Sequence, residues 1–77
     1  MTRWENPLTH RYYEARVCRD LFGQWEILRT WGRIGSALGR TLRDPQPGEQ
    51  ACDAELEKIS LRRQQRGYAR TPAPASQ

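Results

Sequence analysis

The segment Trp25-Glu26-Ile27-Leu28-Arg29-Thr30-Trp31-Gly32-Arg33-Ile34-Gly35 decides the fold. Its large apolar residues, Trp25, Ile27, Leu28, Trp31 and Ile34, fall on both faces of an extended chain. That pattern predicts a strand with part of each face covered. Glycines at 32 and 35 close the run where tight backbone geometry is needed. Immediately upstream, Asp20 to Gln24 contains Gly23 and reads as a turn. Before that turn, Tyr13, Ala15 and Val17 alternate with Tyr12, Glu14, Arg16 and Cys18, which predicts a half-buried strand over Arg11 to Arg19. Downstream, Leu38 to Asp44 reads as a weaker third strand, after which Pro45 and Pro47 stop extended structure. Three strands joined by short turns make an antiparallel meander.

Glu49 to Arg66 reads as a helix. Cys52, Leu56 and Ile59 form one apolar stripe; acids crowd the first turns and Arg62, Arg63 and Arg66 the last, an arrangement that suits the helix dipole. Gly67 is placed to cap the C-terminus, and Leu61 lies off the stripe. The stripe is too narrow to close a core alone, so it needs the sheet face carrying Tyr13, Ala15 and Val17. The expected class is therefore α+β, a small twisted antiparallel β-sheet with one amphipathic helix packed across it. Residues 1–9 are expected to form a flexible N-terminal arm, with Trp4 folding back over the edge of the core. Residues 10–69 are the domain, and residues 70–77 have the composition of a disordered tail.

A chain of 77 residues makes one domain with a thin core, which leaves little room for a deep catalytic pocket. Thirteen Lys and Arg stand against nine Asp and Glu, a formal charge of +4, and all but Lys58 of those bases are Arg. Arg33 and Arg40, with Arg29 and Arg43, lie between Ile27 and Arg43 without an acid among them, and Arg62 to Arg70 adds four more. The remainder carries five bases against nine acids. Such polarisation presents a positive face to anionic partners. Arginine forks also match phosphate geometry.

Two scattered cysteines and one histidine make no metal site, and no cofactor motif or phosphate-cradling glycine loop is present. A Cys18–Cys52 disulfide between strand and helix stays open as an alternative to reduced thiols. No Ser-His-Asp set or apolar pair of carboxylates suggests an enzyme, and no small-molecule substrate is expected. No stretch has the length of a signal peptide or a membrane span. The expected location is cytoplasmic, nucleoid-associated if the protein binds DNA.

Trp31-Gly32-Arg33-Ile34-Gly35 resembles the signature of the WGR domain, found in DNA-dependent poly(ADP-ribose) polymerases and as small free-standing bacterial proteins. The likeness extends over residues 10–68. Arg11-Tyr12-Tyr13-Glu14-Ala15 is similar to the aromatic opening strand, Trp25 to the Trp ahead of the signature, Gly39-Arg40-Thr41-Leu42 to the glycine-containing third strand, and Arg66-Gly67-Tyr68 to the helix end. Two features depart from the family pattern. Asp44 to Gly48 lacks the usual aromatic, and Leu56 stands where Phe is common.

The resemblance implies a non-catalytic nucleic-acid-binding module that docks on DNA ends or nicks without sequence specificity. Carried over, Trp31 is the stacking platform and Arg33 the backbone contact, reinforced by Arg29, Arg40 and Arg43. A second reading makes Trp31 a core residue with Arg33 packed over it. Trp25 is expected in the core, Tyr68 under the helix end, and Arg62, Arg63 and Arg66 on a solvated helix end. The functional alternative is a protein–protein interaction adaptor with its own protein partner.

Overall fold

The computed structural model describes residues 1–72. In chain order the elements are β1 (Thr2–Asn6), β2 (Arg11–Arg19), β3 (Trp25–Arg33), β4 (Arg40–Pro45), α1 (Glu49–Gln65) and β5 (Ala69–Thr71). The strands form one sheet in the order β4-β3-β2-β1-β5, and every neighbouring pair is antiparallel. α1 packs against one face. This is the α+β architecture expected from the alternation in β2 and the stripe of α1.

Register sorts the side chains. Tyr13 faces Trp31, Ala15 faces Arg29 and Val17 faces Ile27 across β2 and β3, all on the helix side. The core consists of Trp4, Tyr13, Ala15, Ile27, Cys52 and Ile59, with Val17, Trp25, Trp31, Leu56 and Tyr68 packed around it. Cys52 and Ile59 are buried on α1 while Leu61 is exposed, as the stripe predicts.

The N-terminal residues depart from expectation. Thr2–Asn6 is a strand rather than an arm, paired with β2 on one side and β5 on the other. Trp4 lies in the core, only 2% exposed. Five residues with a single apolar member show too little periodicity to announce a strand; the pairing edge of β2 supplies what the segment lacks. Ala69–Thr71, which runs from the last expected domain residue into the expected tail, forms the far edge of the sheet as β5. The rest of that tail, 73–77, lies outside the described residues. β4 begins at Arg40, two residues later than expected, and accommodates Pro45 because an edge strand does not need every N–H.

Two glycines are fixed by close approach rather than by turning. The ring of Tyr12 lies on the face away from α1 and crosses the ends of β3 and β4. A Cβ on Gly39 would sit 2.5 Å from the Tyr12 hydroxyl and 3.2 Å from the Trp31 carbonyl oxygen. A Cβ on Gly32 would meet Gly39 Cα and Tyr12 Cε1 at 3.2 Å. Gly67, by contrast, has φ +86° and ends α1 in a Schellman arrangement: the Tyr68 N–H donates to the Arg63 carbonyl and the Gly67 N–H to that of Gln64. Buried Asn6 ties this end to β1. Its amide donates to the Arg66 carbonyl at 3.2 Å, and its oxygen accepts from the Leu8 and Thr9 N–H groups.

Both cysteines are free thiols. Cys52 is in the core under α1, whereas Cys18 alternates onto the opposite face of the sheet, hydrogen-bonded to Glu26. Burial pushes both thiols above their ordinary range.

Gly39→Ala is expected to destabilise the fold by about 1–3 kcal/mol through overpacking. That corresponds to a fall in melting temperature of about 4–8 °C per kcal/mol for a domain of this size. In a Tyr12→Phe background, which removes the nearest contact, the same change should cost less. Thermal denaturation of the four variants measures the coupling. Equal costs in both backgrounds would show that the hydroxyl contact is not the limiting one.

Candidate nucleic-acid interface

Three aromatic rings run side by side across the helix face of the sheet. Trp31 in β3 stacks beside Tyr13 in β2, with centroids 6.1 Å apart and planes 13° from parallel. Tyr13 meets Trp4 in β1 edge-on, also at 6.1 Å. The row passes from the buried Trp4 to the half-buried Trp31 near the outer end of β3. Trp31 packs against the margin of the core through Tyr13 and is only partly buried.

Arg33 follows Trp31 on the same face, Arg40 lies directly across from Trp31, and Arg11 directly across from Arg33. All three arginines are exposed, and none has a salt bridge among the described residues. Trp31, Arg33 and Arg40 are thus brought together at one end of the sheet.

The other two expected contacts are placed differently. Arg29 shares the face of Trp31, but its guanidinium donates to Asp44 Oδ2 and, at 2.9 Å, to Glu55 Oε2, linking β3 to β4 and α1. It also reaches the Tyr13 hydroxyl at 3.5 Å. Burial works against its charge, yet these hydrogen bonds outweigh that cost and hold its pKa above the ordinary guanidinium value. Arg29 is therefore a structural tie whose two terminal nitrogens are engaged, while its buried Nε has no partner among the described residues. Arg43 alternates onto the opposite face, pairs with Leu28 in register and donates to buried Glu26 at 2.8 Å. A linear count of arginines between Ile27 and Arg43 has no access to these facing carboxylates.

α1 contributes a residue that the expected set omits. The guanidinium of Arg63 lies 4.3 Å from the Tyr13 ring centroid and 5.1 Å from that of Tyr68, a cation–π arrangement on the middle ring of the aromatic row. Its Nε is buried without a partner. The available signal was spacing, because Arg63 continues the stripe of Cys52, Leu56 and Ile59 one further step of four. Arg62 and Arg66 stay on the exposed side, as expected. Tyr68 is half-buried beneath Arg63. Between α1 and the sheet lies a cleft of about 330 Å³ that includes Tyr13, Lys58, Arg62 and Arg63 in its lining.

Trp25, expected in the core, packs against it from the opposite end of β3 and is half-buried, with the Arg19 guanidinium 4.5 Å above its ring. Among the described residues no group of His, Cys, Asp and Glu is arranged to hold a metal ion. No helix there is long and apolar enough to cross a membrane.

A five-stranded antiparallel sheet, one covering helix and an arginine-flanked aromatic edge define a small α+β binding module. The model of the WGR domain family matches residues 4–74, nearly the whole chain, and the protein belongs to that family. The match begins at Trp4 and so takes in most of β1 and all of β5, which a reading confined to residues 10–68 leaves out. WGR domains are nucleic-acid-binding modules and not themselves catalytic. No curated protein and no solved structure matches the chain.

Replacing Arg29 with Ala is expected to lower stability by about 1–3 kcal/mol, because Asp44 and Glu55 lose a shared charged donor. The affinity of the folded protein for nucleic acid and its salt dependence should be unchanged. Thermal denaturation and binding isotherms on the same preparation separate the two effects. A salt slope that falls by one phosphate contact would return Arg29 to the interface.

Proposed function

We propose that the protein binds DNA at ends or nicks, with Trp31 as the stacking surface and Arg33 and Arg40 as phosphate contacts. The observation that carries this reading is the placement of Trp31. Its indole is stacked beside Tyr13 yet only half-buried, with exposed Arg40 directly across the ladder and exposed Arg33 two residues on. An aromatic fixed on one side is pre-organised, so stacking a terminal sugar or base on the other costs little ordering entropy. An interior nucleotide of an intact duplex has both faces occupied. An exposed terminal one does not, which favours ends and nicks. The contacts invoked, an indole stack and arginines on phosphate, read no base edge, so discrimination in this reading rests on DNA structure rather than sequence. Arg11 and Arg63 extend the positive surface on either side of the aromatic row.

The test is fluorescence anisotropy with a blunt duplex, a recessed phosphorylated end, a nicked duplex and a closed circular duplex, each at two salt concentrations. Trp31→Ala should weaken binding by about 1–3 kcal/mol, the range for loss of one stacked base. Arg33→Ala and Arg40→Ala should each reduce the salt slope by about one phosphate contact. Circular dichroism must show the variants folded, since Trp31 also packs on Tyr13. Equal affinity for closed and broken duplexes would remove the preference for ends. No binding at low salt by folded wild type would overturn the reading in favour of a protein-interaction adaptor.

A further inference from the structure

The end of the molecule opposite Trp31 carries a second surface that nucleic-acid binding does not use. In the β2–β3 turn, Leu21 is 100% exposed and Phe22 is 89% exposed. The turn is nevertheless firmly built. Asp20 Oδ1 accepts from the N–H groups of Phe22 and Gln24 at 2.8 and 2.9 Å, the Gly23 N–H donates to the Asp20 carbonyl, and Gly23 takes φ +80°. A rigid turn thus holds two large apolar side chains out in water, at a cost of hydration that a polar pair would avoid. Beside it lies a cleft of about 340 Å³ lined by Gly23, Gln24, Trp25, Gln46 and Pro47. An apolar knob therefore adjoins a cleft of mixed lining, in which Trp25 and Pro47 stand beside two glutamines.

We propose that this patch is the interface of a two-fold symmetric homodimer, in which Phe22 and Leu21 of each copy enter the Trp25–Pro47 cleft of the other. A closed two-fold contact requires one self-complementary patch that supplies both the projection and its socket. The charges obey the same symmetry. Across this end the order is Arg19 at the end of β2, Trp25 at the start of β3, Gln46 hydrogen-bonded to Trp25, then Glu49 at the start of α1. Arg19 and Glu49 are both exposed. A two-fold axis near Trp25 turns this basic–apolar–acidic order onto itself in reverse, so that Arg19 of one copy faces Glu49 of the other.

Because few side chains take part, the contact falls short of the ~800 Å² per partner of a standard interface, and the dimer is weak and concentration-dependent. Its consequence is geometric. Trp31 lies six residues along β3 from Trp25, about 20 Å at strand spacing, so the two aromatic–arginine ends point away from the interface and away from each other.

Sedimentation equilibrium of the full chain without nucleic acid tests this independently of the DNA reading. From about 10 μM to about 2 mM, a range suited to a sub-standard interface, the wild-type mass should rise from 9.0 kDa towards twice that value. Phe22→Asp and Leu21→Asp should each weaken dimerisation by at least about tenfold with unchanged circular dichroism. Arg19→Glu and Glu49→Arg should each weaken it, and their combination should restore it. A mass that stays at 9.0 kDa at the highest concentration would overturn the proposal. So would a dimer indifferent to Phe22→Asp, which would place the contact elsewhere, or a double charge reversal no better than the single ones.

Discussion

A single helix of 17 residues covers only part of a five-stranded sheet, so wide side chains on the middle strands have to close the rest of the core. The row Trp4–Tyr13–Trp31 does this. Its rings span three adjacent strands, each supported by the next, and the Arg63 guanidinium from α1 lies on the middle ring. A domain of this size has little other apolar volume to draw on. The fold therefore depends on aromatic contact running from the buried interior to the margin, and the last member of the row necessarily stands half in water. Trp31, at the margin of the row, is only half-buried.

The same economy decides which arginines are available. Where α1 meets β3 and β4, Arg29 is held by Asp44 and Glu55, so a basic residue of the signature strand becomes a tie between layers. On the face without a helix, paired charges take the place of a second apolar layer: Arg3 bridges Glu5 and Glu14, and Arg43 reaches Glu26. Arg3 also lies over the ring of Tyr12. Among the described residues, the arginines left without carboxylate partners at the outer end of β2 to β4 are Arg11, Arg33 and Arg40, the ones beside Trp31. Positive potential is thereby focused where the aromatic edge opens, although bases are spread along the chain.

Tyr12 explains why the signature carries its first glycine. On the face opposite Trp31, its ring occupies the space where side chains at 32 and 39 would stand. Tyr12 and Tyr13 are consecutive and point to opposite faces, one wedged over glycines, the other stacked on Trp31 and edge-on to Trp4. The ends of β3 and β4 are thus fixed from both sides, and Arg33 and Arg40 are carried on a backbone with little freedom to move apart.

Much of this was determined by local sequence. Alternation in Arg11–Arg19, the apolar load of Trp25–Ile34 and the stripe of Cys52, Leu56 and Ile59 specified two strands, the helix and the face on which they meet. Those signals are periodic within one element, and the same residues carried the WGR resemblance. β1 and β5 were not legible, since neither segment has an apolar period and each becomes a strand only by pairing with an edge that other parts of the chain provide. Tertiary structure alone decided the fate of the charges. Whether an arginine meets a phosphate or a carboxylate depends on what stands across the sheet, and Arg29 meets Glu55 from 26 residues away while Arg40 meets none among the described residues. Apolar spacing records which way a side chain faces, but its partner is set by distances between elements that the linear order does not contain.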